Sequence, residues 1–126
     1  MRAFPLLVAL AFAAGCGGAK PVVAPAPTSS QSHSKLADAE GRAAALMRAA
    51  DLEGAARQYG EAARIAATVE NADAVAANSI NQSIVYQWMG RDADARDALS
   101  RVLDDPRRPF PERRRLQAEL RRAIDW

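Results

Sequence analysis

Few side chains in this sequence could do covalent chemistry. One thiol, Cys16, and one imidazole, His33, stand among 126 residues. Cys16 closes an N-terminal apolar run, whereas His33 lies in a Pro-, Ala- and Ser-rich stretch without ligand-type neighbours, so it reads as a solvated linker residue. The acidic pairs Asp92/Asp94 and Asp104/Asp105 fall at expected helix ends, where capping and solvation explain them without general acid–base work. Gly15, Gly17 and Gly18 cluster beside the apolar run and make no phosphate-cradling loop, and no His/Cys spacing suits a metal. These residue types predict no enzyme, no metal, no cofactor and no small-molecule substrate.

What the thiol could do is set by its neighbours. Met1-Arg2 carries one charge, Ala3 to Ala14 is apolar apart from Pro5, and small residues lead directly into Cys16. The run falls short of the roughly 20 apolar residues a spanning helix needs and has signal-peptide architecture. The segment Ala13-Ala14-Gly15-Cys16 resembles a bacterial lipoprotein signal, with Ala13 standing where leucine is commonest. The resemblance implies removal of residues 1–15, diacylglycerol (palmitate-type) modification of Cys16 and a membrane anchor through the N-terminal lipid. It also implies, with Gly17 rather than aspartate after the cysteine, an outer-membrane destination facing the periplasm. The competing expectation is plain secretory cleavage after Ala13, reading Ala11-Phe12-Ala13 as the small-x-small site.

The elements that would be anchored come next. Residues 17–34, GGAKPVVAPAPTSSQSHS, have no acid and no apolar period. Such a segment cannot offset its ordering entropy and reads as a tether reaching roughly 25 Å as a coil. The chain thus divides into leader 1–15, lipidated cysteine and tether 16–34, and a folded domain 35–126. Within that domain, caps and breakers predict five helices: about Leu36–Ala49, Asp51-capped to about Val69, Asn71-capped to Gly90, Asp92-capped to Asp105-Pro106, and a last one after Pro109 and Pro111. Acid-before-base pairs Asp92–Arg96 and Asp97–Arg101 suit an exposed fourth helix. The fold class expected is all-α, since alanine is abundant and aromatics are only 6% of the chain.

Two stretches match each other. ADLEGAARQYGEAARI from Ala50 and GRDADARDALSRVLDD from Gly90 both place a small residue (Ala55, Ala95), then a large one (Tyr59, Leu99), then Ala62 or Val102. Spacing of i, i+4, i+7 lets one helix pack closely on its predecessor. This pattern resembles the second helix of a tetratricopeptide repeat, and Tyr86 stands where the first helix of that motif favours an aromatic. Ala43 and Leu46 carry a weaker match in helix one. Gln82 departs from the pattern, which favours leucine there. The repeat distance, Ala55 to Ala95, is 40 residues, against about 34 in the common unit. The six extra residues are expected to lengthen the junction and the third helix around Thr68 to Ala77. The resemblance implies a short array of two helical hairpins with a C-terminal capping helix, whose stripe Leu116, Leu120, Ala123-Ile124 faces the last repeat. In that register Ile80, Ile84, Gln87 and Trp88 lie on the inner face such repeats use for protein ligands, although in so short an array they could equally be core.

Charge is uneven along the domain. Residues 35–106 hold 8 basic and 12 acidic residues, whereas 107–126 hold 7 arginines and 3 acids. The cluster Arg107, Arg108, Arg113, Arg114, Arg115, Arg121 and Arg122 reads either as a solvated cap face or as a contact for an anionic surface. Together the expectations are an anchored protein–protein adaptor of the cell envelope, in secretion, pilus, motility or outer-membrane assembly, with unidentified envelope partners and no nucleic acid. The alternative is a surface protein whose basic C-terminal helix holds anionic lipid, lipopolysaccharide or cell-wall polymer.

Overall fold

The computed structural model describes residues 28–124. The leader, Cys16, most of the tether and Trp126 therefore lie outside the described residues. The rest is all-α: α1 (Ser29–Arg48), α2 (Leu52–Thr68), α3 (Ala72–Trp88), α4 (Asp92–Leu103) and α5 (Glu112–Ile124). Each of the first four packs on the next, and α5 rests on both α4 and α3. Arg113 and Arg114 meet Asp73 at the start of α3, while Arg121 meets Gln87 near its end. Helices α3 and α5 consequently run side by side in the same direction.

Three identical corners set the array. After α1, α2 and α3 the chain turns through one left-handed residue: Ala50 (φ 59°), Glu70 (φ 55°) and Gly90 (φ 71°). The next amide then reaches back to the helix: Asp51 N–H to Leu46 O, Asn71 N–H to Ala66 O and Arg91 N–H to Tyr86 O, at 2.9, 3.0 and 2.8 Å. These bonds satisfy carbonyls that a helix end leaves bare. New helices start at once. Asp51 Oδ1 accepts from Gly54 N–H at 2.8 Å, and Asn71 Oδ1 from Ala74 N–H at 3.0 Å. Arg91 caps α4 without a side-chain bond, so Asp92 is the first helical residue, not the cap, and favours the helix dipole together with Asp94.

Two expected boundaries shift. The α2–α3 junction is no longer than its neighbours, so the lengthening expected of junction and third helix falls on α3 and on α2 instead of the junction, 17 residues each. Helix α1 begins at Ser29, roughly two turns ahead of Leu36. A reciprocal capping box starts it: Thr28 Oγ1 accepts from Gln31 N–H (3.3 Å) and Gln31 Oε1 from Thr28 N–H (2.9 Å). His33 is accordingly helical, its Nδ1 2.7 Å from Ser29 O.

The core is built largely of alanine. Ala39, Ala43, Ala55, Ala62, Ala66, Ala76, Ala95 and Ala98 are fully buried, with Leu36, Ile65, Ile80, Leu99, Val102 and Phe110 filling the spaces between them. Small side chains at the crossings let helix axes approach closely.

Helix α5 is turned the other way from the sequence expectation. Ala118 (0% exposed) and Phe110 (8%) face the body, while Leu116 (51%), Leu120 (63%) and Ala123 face solvent. The two leucines stand two residues either side of Ala118, about 200° round the helix from it. Polar docking explains the orientation, because Arg114 and Arg121 share the Ala118 side and are held by Asp73 and Gln87.

Candidate functional site

The α3 residues singled out from the sequence separate by depth. Ile80 is in the core at 1% exposure, so it is not available to a partner, and Ile84 is half-buried against that core. Gln87 accepts from the Arg121 guanidinium through Oε1 (Nε at 2.9 Å) and helps hold α5. Trp88 projects into solvent at 63%. One turn apart, Ile84 and Trp88 form a short apolar step that continues through Asn81 and Ala77, both half-buried. It is the most exposed apolar feature on the first four helices.

The arginine cluster is dispersed rather than pooled. Arg107 and Arg108 lie against Asp105 (3.3 and 3.9 Å), and Arg113 and Arg114 share Asp73 (3.0 and 2.9 Å). The two guanidiniums, Arg114 foremost, hold the Asp73 carboxyl down at about 2. Arg115 and Arg122 are exposed on α5.

A second concavity escaped the sequence reading. Helices α2 and α4 flank an open groove of about 790 Å³ floored by α3, with Gly60, Ala63 and Ala67 on one wall and Ser100 and Arg101 on the other. At its floor lies Gln82, 5% exposed. Its Nε2 donates to Ala56 O at 2.9 Å, and its Oε1 accepts from Arg101 Nη1 at 2.8 Å. Gly60 makes room for it: a Cβ there would sit 2.5 Å from Gln82 Nε2. The polar residue at a leucine-favouring position was the available signal, paired with a glycine inside an otherwise strong helix. Nearby, the Arg91 guanidinium lies over the Tyr86 ring at 4.8 Å and bonds Asp94 and Glu53.

Among the described residues no three His, Cys, Asp or Glu side chains gather as a metal would require, and no helix is long and apolar enough to cross a membrane. The chemistry these surfaces offer is apolar and hydrogen-bonded contact. Set against protein-family models, curated proteins and solved structures, the chain matches none.

Proposed function

We propose that the chain is a lipid-anchored adaptor of the bacterial cell envelope, in which Cys16 carries the lipid and a tetratricopeptide-like helical array presents a binding face. The observation that carries the binding half is Trp88, a large ring left 63% exposed beside half-buried Ile84. Exposed tryptophan is costly to leave in water and is enriched where partners bind. The anchor half draws on Ala14-Gly15-Cys16 behind an apolar run. The partner is an envelope protein that lays an apolar segment against α3. A role for the arginine-rich segment in holding anionic lipid has less to draw on, because four of its seven arginines already face acids and Arg121 faces Gln87.

The test is a photo-crosslinking side chain at position 88, irradiated in intact cells, with palmitate labelling alongside. The expected result is a discrete adduct and a labelled, membrane-bound protein. Ile84→Ser should reduce the adduct, and Cys16→Ser should remove label and membrane association. An unlabelled soluble wild-type chain would sink the anchor, and absence of any adduct would sink the binding face.

A further inference from the structure

Among the described residues, the outward face of α5 carries two exposed leucines that the adaptor reading does not use. Leu116 and Leu120 are 51% and 63% exposed, Ala123 continues their stripe, and Ala118 on the opposite side is fully buried against the body. The stripe is narrow. Spacing of four then three residues describes a seam one helix wide, of the kind that receives another helix. A bilayer surface wants a broad apolar sector with cations at its edges, yet here Glu112 and Glu119 border the leucines.

The flank of the seam says which helix fits. Glu112, Arg115, Glu119 and Arg122 follow one another along one side of α5, alternating in sign, all exposed and none ion-paired with a described residue. Both the outer pair (Glu112, Arg122) and the inner pair (Arg115, Glu119) are centred on Gln117, and the leucines are centred on Ala118. Read backwards, glutamate–arginine–glutamate–arginine becomes arginine–glutamate–arginine–glutamate. When a second copy of α5 lies antiparallel across the seam, a two-fold axis perpendicular to the helices brings the same flank of each to the same side. With the axis midway between residues 117 and 118, Glu112 comes opposite the partner copy's arginine at 122, Arg115 opposite its glutamate at 119 and Leu116 opposite its leucine at 120, each to within one residue, about 1.5 Å along the helix. A parallel pair would put the two rows on opposite sides of the seam, where they do not meet. Such self-complementarity is what a closed two-fold interface demands.

We infer that α5 is a homodimerisation helix, pairing antiparallel with a second copy of this chain through Leu116, Leu120 and the alternating row Glu112–Arg115–Glu119–Arg122. The interface is small, so the dimer is concentration-dependent, and part of its strength is electrostatic and falls with added salt.

The experiment is light scattering after size exclusion on the full-length chain in a mild detergent, over a concentration series. Two variants test the row: Glu112→Arg with Glu119→Arg, which makes it all basic, and Arg115→Glu with Arg122→Glu, which makes it all acidic. Wild type is expected to move from monomer to dimer. Each variant alone should dimerise at least about tenfold more weakly, and the two mixed should dimerise again. That restoration also proves both variants folded. Leu116→Asp should weaken wild-type pairing without changing the helical circular dichroism. A wild-type chain that stays monomeric from micromolar to millimolar concentration overturns the proposal. So do swaps without effect, a mixture that fails to pair, an open series beyond two copies, or a monomer that instead co-sediments with anionic phospholipid vesicles.

Discussion

The pairing of Gly60 with Gln82 makes a sharp prediction, because helix propensity and packing pull in opposite directions. Gly60 lies inside α2, where glycine-to-alanine exchange ordinarily gains about 1 kcal/mol. Here the new Cβ would come 2.5 Å from Gln82 Nε2, and the amide must leave. It then loses a bond of 2.9 Å to Ala56 O and one of 2.8 Å from the Arg101 guanidinium. A neutral bond is worth about 1 kcal/mol and one to a charged group about 1.5–3 kcal/mol. Gly60→Ala should therefore destabilise by about 1.5–3 kcal/mol, despite improving the helix. In a Gln82→Ala background the obstruction is gone, and the same exchange should stabilise by about 1 kcal/mol. Urea unfolding followed by circular dichroism on the four-member cycle measures the coupling directly. Gly60→Ala that stabilises the wild-type chain, or two changes that simply add, would refute the account of the α2–α3 contact.

The corners predict opposite effects of glycine. Ala50→Gly and Glu70→Gly should each raise stability by about 0.5–1 kcal/mol by relieving a left-handed residue, whereas Gly90→Ala should lower it by about 1 kcal/mol, all read by thermal melts. No neighbour lies within 4 Å of a Cβ at Gly90, so the loss there is conformational alone. Asp73 titrates at about 2 when folded against an ordinary 3.8; its folded pKa is depressed, so its contribution is complete above about pH 4 and is lost as pH falls through about 2. Asp73→Asn should flatten that acid limb in pH-dependent melts, and for so exposed a pair it should cost no more than about 1 kcal/mol at neutral pH. Ala55→Leu or Ala95→Leu should overpack a fully buried crossing and cost about 1–3 kcal/mol in urea unfolding.

Helix identity was legible because its signals are local. Asp51, Asn71 and Gly90 mark their corners by side-chain chemistry alone. Ala50 and Glu70 carry no such mark: each adopts a left-handed conformation because the helices on either side force the turn. The start of α1 was hidden for another reason. SSQSHS has no apolar period, and only the Thr28/Gln31 box, two residues in a polar stretch, betrays it. The facing of α5 was misjudged because hydrophobicity named the leucine side as inward. The helix instead follows Ala118 and the polar holds at Asp73 and Gln87, which come from α3, about 40 residues earlier in the chain. At the candidate site, Trp88 could be placed at the end of α3 from the pattern, but its exposure depends on what packs beside it. Gln82 looked like a defect in the pattern until its partners on α2 and α4 were in place.

The twenty-residue beat of the corners at Ala50, Glu70 and Gly90 bears on how the chain folds. Every helix finds its main partner in a helix adjacent to it along the chain, and hydrogen-bonded side chains in the described residues are never more than 41 positions apart. Loops that short close quickly, and topologies made of them fold faster than those that wait for distant segments. Whichever end of the domain is released first, about two helices' worth of chain is enough to form a hairpin, and each later helix adds to a surface already made. Helix α5 alone joins through ion pairs and a single buried alanine, so amide exchange should show it to be the last element to lock and the first to open.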